Sequence, residues 1–144
     1  MNRELIYQKL FEFIQENITL AKTFSRQLKD FSEVKVNESP SIFQVQIDED
    51  IETITNSQTK TKLYCQVYIY VKNNNNKDTI AHTILNNIID QFIEKFNIKN
   101  QIGYGITLND LVFSCKINGK IEYDGGILGV DALARLPIEI ITKK

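Results

Sequence analysis

Apolar positions recur along the chain with two distinct periods. From Asn2 to Leu20 the apolar residues Leu5, Ile6, Leu10, Phe13 and Ile14 fall at three- and four-residue steps, with Glu4, Lys9, Glu12 and Glu16 opposite. That spacing predicts an amphipathic helix. Lys22 to Phe31 is mixed in pattern and reads as an extended segment followed by a turn. Glu38-Ser-Pro40 then punctuates the chain, because the residue before a proline avoids the helical region. From Ile42 to Thr55 the period becomes two: Phe43, Val45 and Ile47 alternate with Gln44, Gln46 and Asp48. The alternation passes into an acidic run, Asp48, Glu49, Asp50 and Glu52, with one face still carrying Ile51 or Ile54. After the turn cluster Asn56-Ser-Gln58, Lys62 to Lys72 alternates most clearly. Leu63, Cys65, Val67, Ile69 and Val71 line one face, and Tyr64, Gln66, Tyr68 and Tyr70 the other. The two strands are expected to form an antiparallel hairpin.

The second half repeats the order. Asn73 to Asn76 reads as a solvated loop tip. Asp78 or Thr79 is expected to cap a helix running to about Asn97, with Ile80, Ile84, Leu85, Ile88, Ile89, Phe92, Ile93 and Phe96 on a broad apolar face. Gly103-Tyr-Gly105 lacks the spacing of a phosphate-binding loop and reads as a turn. Asn118-Gly119 is a strong hairpin signal. A two-residue turn there, however, sets Ile117 against Lys120 and Lys116 against Ile121. Read through, Phe113, Cys115, Ile117, Gly119, Ile121 and Tyr123 share a face, so one long strand with Gly119 at a bend or bulge keeps register. Asp124-Gly-Gly126 is a turn. The last strand runs from Asp131 to Thr142, with Pro137 expected at an edge or a bulge. The order α-β-β-α-β-β predicts a single α+β domain over residues 1–144: a largely antiparallel four-stranded sheet with two main helices on one face.

Composition changes this picture only by exclusion. The chain has 144 residues, with 42% hydrophobic and 24% charged, and 17 basic against 18 acidic residues leave a formal charge of −1. Such a balance supplies no general attraction to phosphate backbones, which argues against a dedicated nucleic-acid binder. No continuous apolar h-region opens the chain and no apolar run approaches the ~18 residues of a membrane span, so a cytoplasmic site of synthesis is expected. Cys65 and Cys115 lie in alternating apolar runs and read as reduced core thiols rather than a bridge. His82 is the lone imidazole. It has no cysteine or histidine cluster for zinc and no nucleophile motif for a triad.

Three groups remain as candidates for function. Tyr64, Tyr68 and Tyr70 either half-cover an outward sheet surface or form a protein interface, where tyrosine supplies area with little rotamer entropy. The acidic run reads as a solvated strand extension before a metal site, since it lacks the Gly-centred turn of a calcium loop. Glu122 and Asp124, two apart on a strand, could act as acid and base, but a polar sheet face accounts for them better.

One resemblance adds to these readings. The order Ser25-Arg-Gln-Leu-Lys-Asp-Phe-Ser-Glu-Val34, Glu38-Ser-Pro-Ser-Ile-Phe-Gln-Val45, the Leu63–Val71 strand and Ile84-Leu-Asn-Asn-Ile-Ile-Asp90 is followed by Gly119-Lys-Ile-Glu-Tyr-Asp124, Leu128-Gly129 and Leu136-Pro-Ile-Glu-Ile140. Over nearly the whole chain it resembles the small tail-terminator-like proteins of tailed bacteriophages and prophages. The resemblance implies a structural subunit, without catalysis or cofactor. Such subunits form a ring, typically a hexamer, that caps the tail tube, ends its polymerisation and offers the surface to which the head attaches. It implies as partners further copies of the chain, the tail tube protein and a head-completion or neck protein. It also implies assembly in the host cytoplasm, a place in the virion tail, no membrane contact, and DNA passing through the ring without specific binding.

A closed ring joins one patch to a different patch on the neighbour. The candidates are the basic Arg26 and Lys29, the acidic Asp48, Glu49, Asp50 and Glu52, and the Tyr64, Tyr68 and Tyr70 face. Alternatively the acidic run faces the channel. A non-ring connector of the same assembly, or a small ligand-binding module or enzyme with a pocket between helix and sheet, are the competing readings.

Overall fold

The computed structural model describes residues 1–73, 78–100 and 103–143. Of the expected Asn73–Asn76 loop tip, only Asn73 lies within the described residues. Helix α1 spans Arg3–Asn17 and starts at Asn2, whose side chain accepts from the backbone N–H of Leu5 at 3.0 Å. Strand β1 (Thr23–Ser25) follows, then two 3-10 turns, Phe31–Glu33 and Val36–Glu38. Strands β2 (Ser41–Thr55) and β3 (Gln58–Val71) form the expected hairpin, here reaching up to the Asn56-Ser57 turn. Helix α2 covers Ala81–Phe96, and β4 (Val112–Ile117), β5 (Glu122–Tyr123) and β6 (Ala132–Thr142) complete the chain. The N-cap position of α2 is Ile80, which has no side-chain cap, and not the expected Asp78 or Thr79.

The class is α+β, but the sheet has six strands instead of four. Its order is β1-β2-β3-β6-β4, with β5 also on β6. Two features account for the difference. β1 is only three residues long and pairs parallel to β2, so alternation has no length over which to show. The expected Asp110–Asp124 strand is divided, and both halves pair antiparallel with β6. The break lies against Pro137, whose carbonyl accepts from Asn118 N at 3.2 Å. Its missing N–H is on that same side, so the ladder lapses where no donor exists. Gly119, at φ +128°, lies against the proline ring. Pro137 is thus on an interior strand, opposite a local gap, and not at a sheet edge.

Both helices pack on one sheet face. Ile6, Leu10, Ile14 and Ile18 meet Leu85, Ile88, Phe92 and Phe96 over the odd-numbered residues of β3 and the even-numbered ones of β6. Phe96 meets Phe13 edge to face with ring centroids 5.0 Å apart and stacks on Phe92 at 5.7 Å. A register shift between Val112 and Ser114 alters the expected face of β4: Val112 is buried and Phe113 exposed.

Cys65 and Cys115 are buried free thiols of the core. β6 runs between their strands, which puts them two strand spacings apart, about 9.5 Å or more and beyond disulfide reach. Burial pushes the Cys65 thiol up to about 12 and holds that of Cys115 well above its ordinary value. Both should therefore resist a thiol reagent at neutral pH in the native protein and react fully in denaturant. Fast labelling of the folded protein would contradict this placement.

Candidate functional site

Beyond Thr61 the β2–β3 hairpin outruns the rest of the sheet. β6 ends at Thr142, whose hydroxyl donates to Thr61 O at 2.9 Å, while β2 and β3 continue to the Asn56-Ser57 turn. The result is a two-stranded ribbon exposed on both faces. Ile51 and Ile54 are 61% and 57% exposed there, against the usual fate of isoleucine. At its base a shallow groove of about 190 Å³ is lined by Ile54, Thr59, Lys60, Phe113 and Ile141, among others.

The register sorts the acidic run by face. Asp48 pairs with Tyr64, Asp50 with Lys62 and Glu52 with Lys60, so these carboxylates share the face away from the helices. The Tyr64 hydroxyl pKa is raised, by burial first and then by its interaction with Asp50. Glu49 points the other way and takes a forked pair of bonds from Arg3 of α1, at 2.9 and 3.0 Å. The acidic run is thus three exposed carboxylates beside Tyr64 and one that ties the ribbon to α1.

The remaining candidates are brought elsewhere. Tyr70 does not line an open face: it is 4% exposed, under the segment that carries the 3-10 turns. Its ring contacts Phe31 at 5.2 Å and Phe43 at 5.1 Å, and its hydroxyl donates to Lys29 O at 2.9 Å. Burial, followed by Tyr68 and Asp30, pushes its pKa up to about 12. Tyr64 and Tyr68 remain half-buried on the sheet. Arg26 and Lys29 form no free basic patch either. Arg26 pairs with Glu4, whose pKa it lowers, and Lys29 lies 3.5 Å from Glu38. Each cation meets a carboxylate distant in sequence, which no local pattern reveals.

Glu122 and Asp124 do not act together. Glu122 pairs with Arg135 at 3.0 Å. Asp124 turns inward, its side chain 4% exposed and 3.2 Å from His82 Nε2. It accepts from the backbone N–H groups of Gly126, Leu128 and Leu133. The sequence shows the turn at Asp124-Gly-Gly126 but not that the Asp124 side chain gathers its backbone donors. Among the described residues no three His, Cys, Asp or Glu converge to hold a metal ion, and no helix is long and apolar enough to cross a membrane. What the ribbon and its adjoining face can do chemically is bind another surface. No family model matches this chain, and no curated protein matches it either.

Proposed function

We propose that this chain is a ring-forming structural subunit of a phage or prophage tail, capping the tail tube and presenting the surface to which the head is joined. The observation that carries the reading is the ribbon: a hairpin that leaves its own sheet and takes Ile54 into solvent beside Phe113 on one face, and Ile51 into solvent on the other. Apolar groups exposed together in this way mark a surface meant for covering. A ribbon of one copy resting on a different patch of the next is a heterologous contact, the kind that closes into rings. The order and spacing of the resembling segments supply the identity of the ring as a tail terminator, with the tube and head-completion proteins as its partners and the virion tail as its place. Asp48, Asp50 and Tyr64 lie at the ribbon's root, where charge sets the register of the neighbour.

Native mass spectrometry and electron micrographs test this. Six-fold rings are expected, and a monodisperse monomer at high concentration overturns the reading. Reversing charge with Asp48→Lys and Asp50→Lys is expected to shift rings toward smaller species. Unchanged oligomers in that variant remove the acidic run from the interface.

A further inference from the structure

The two long edges of the sheet are treated differently. In an antiparallel ladder successive residues send their N–H and C=O groups to opposite sides. On β4 the outward residues are Cys115 and Ile117, and both are sealed. Cys115 exchanges bonds with Ile106 at 2.9 and 2.8 Å. Ile117 gives its N–H to Asn97 Oδ1 at 2.9 Å and receives Asn97 Nδ2 on its carbonyl at 3.1 Å. The other edge belongs to β2, and β1 covers it only from Ser41 to Phe43. Beyond that point it has no strand partner among the described residues.

The outward groups of this open edge can be assigned. Asn118 N donates to Pro137 O and Asp124 N to Leu133 O, so odd residues of β6 face β4 and β5. Even residues of β6 then bond Leu63, Cys65 and Val67 of β3, which leaves Tyr64, Lys62 and Lys60 to bond β2. The backbone groups of their partners Asp48, Asp50 and Glu52 therefore point toward β3, and Glu49, Ile51 and Thr53 present outward N–H and C=O groups that no strand among the described residues meets. An open edge of this length is a template for another strand.

Where β1 stops, the edge runs into a groove of about 310 Å³ lined by Glu4, Arg26, Leu28, Gln44, Val45 and Gln46. Gln44 is 3% exposed. Its Nε2 donates to Tyr7 O at 3.0 Å, while its Oε1 is buried without a hydrogen-bond partner among the described residues. A buried acceptor left unmet is costly.

We infer that the open edge of β2 takes an extended, lysine- or arginine-bearing segment of a partner polypeptide as an added strand. The charge pattern selects that occupant. Two β2 edges paired with each other set Asp48, Asp50 and Glu52 of one copy against the same carboxylates of the other, which repels. A segment with basic residues at alternate positions places them beside those carboxylates, with small apolar residues beside Ile51 on the opposite face. Backbone bonds then supply affinity and the alternating pockets supply selectivity. The edge lies apart from the apolar groove at the ribbon's base, but Asp48 and Asp50 also belong to the proposed ring contact, so the added strand is tested on protein dilute enough to hold no ring.

The test is amide hydrogen exchange with a short synthetic peptide of alternating lysine and valine, and a control with glutamate in place of lysine. At low salt the lysine peptide is expected to slow exchange at Glu49, Ile51 and Thr53 by about tenfold or more, an effect that weakens as salt screens the charges. Ile51→Pro deletes an outward donor while leaving the β2–β3 bonds in place, and is expected to abolish peptide binding. Three outcomes overturn the inference: no protection at those amides at millimolar peptide, equal protection by the glutamate peptide, or protection in the free protein that rises with its own concentration. The last of these makes the occupant a second copy. If Ile51→Pro fails to fold, the exchange pattern of the unaltered protein decides alone.

Discussion

Gly105→Ala is expected to destabilise the protein by about 2–4 kcal/mol, because it adds both backbone strain and overpacking. A Cβ at this position collides with Ser114 Oγ and meets the backbone of Cys115 at 3.1 and 3.2 Å. The hydroxyl can rotate away, but the Cys115 backbone is held in the sheet between β6 and Ile106. The φ of Gly105, +129°, is also one that a side chain resists. Damage should concentrate on the segment that closes the β4 edge. Gly105 N donates to Ile98 O at 2.7 Å, and Asn100 Nδ2 donates to Gly105 O at 2.8 Å. Urea unfolding gives the magnitude, and faster exchange at the Cys115 amide gives the location. A midpoint equal to that of the parent protein defeats the prediction.

Asp124→Ala should cost about 2–3 kcal/mol, since it strips a charged acceptor from three backbone donors at once. Part of the loss is recovered by water, because Gly125, Gly126 and Ile127 are exposed. Asp124 also carries a pH dependence of definite sign. Burial alone raises its pKa, but the N–H groups of Leu133 and Leu128 and the charge of His82 outweigh that, and the net shift is downward. A depressed carboxylate stabilises the fold at pH values above its unfolded pKa and loses that contribution as pH falls through the folded value. Acid unfolding curves of the parent and of Asp124→Asn should therefore separate above the unfolded carboxylate range and converge in strong acid. Parallel curves across the whole range remove Asp124 as a source of acid sensitivity.

Much of the fold was legible in the sequence, for a physical reason that also marks the limits. Alternation over Leu63–Val71 identified the central strand and its buried face, because burial on one side of a pleated strand imposes period two locally. The two helical faces were equally plain. Asn118-Gly119 makes no hairpin, as the face pattern argues, but the single strand expected over Asp110–Asp124 is divided into β4 and β5, both along β6. Phe113 was assigned to the wrong face because a one-residue register shift inverts orientation without leaving a trace in composition. β1 was missed because three residues show no period. Of the candidate site, the exposed carboxylates and Tyr64 do share a face, whereas Tyr70 is buried and Arg26 and Lys29 meet carboxylates of the same chain.

The sequence by itself determined the two helices, the long β2, β3 and β6 strands with the buried face of β3, and that these make one α+β layer arrangement. Those properties follow from local periodicity and the cost of leaving apolar groups in water. Only the tertiary structure decided what covers each face and edge. Phe31 and Lys29 lie about forty residues from Tyr70 along the chain, Asn97 twenty from Ile117, and Glu38 nine from Lys29. None of these distances is expressed in a local pattern, so the sequence shows a surface-capable residue without showing whether its place at the surface is taken. The near balance of 17 basic and 18 acidic residues has the same double meaning. Folding pairs Arg3, Arg26, Lys29 and Arg135 internally and leaves Asp48, Asp50 and Glu52 facing outward along an open strand.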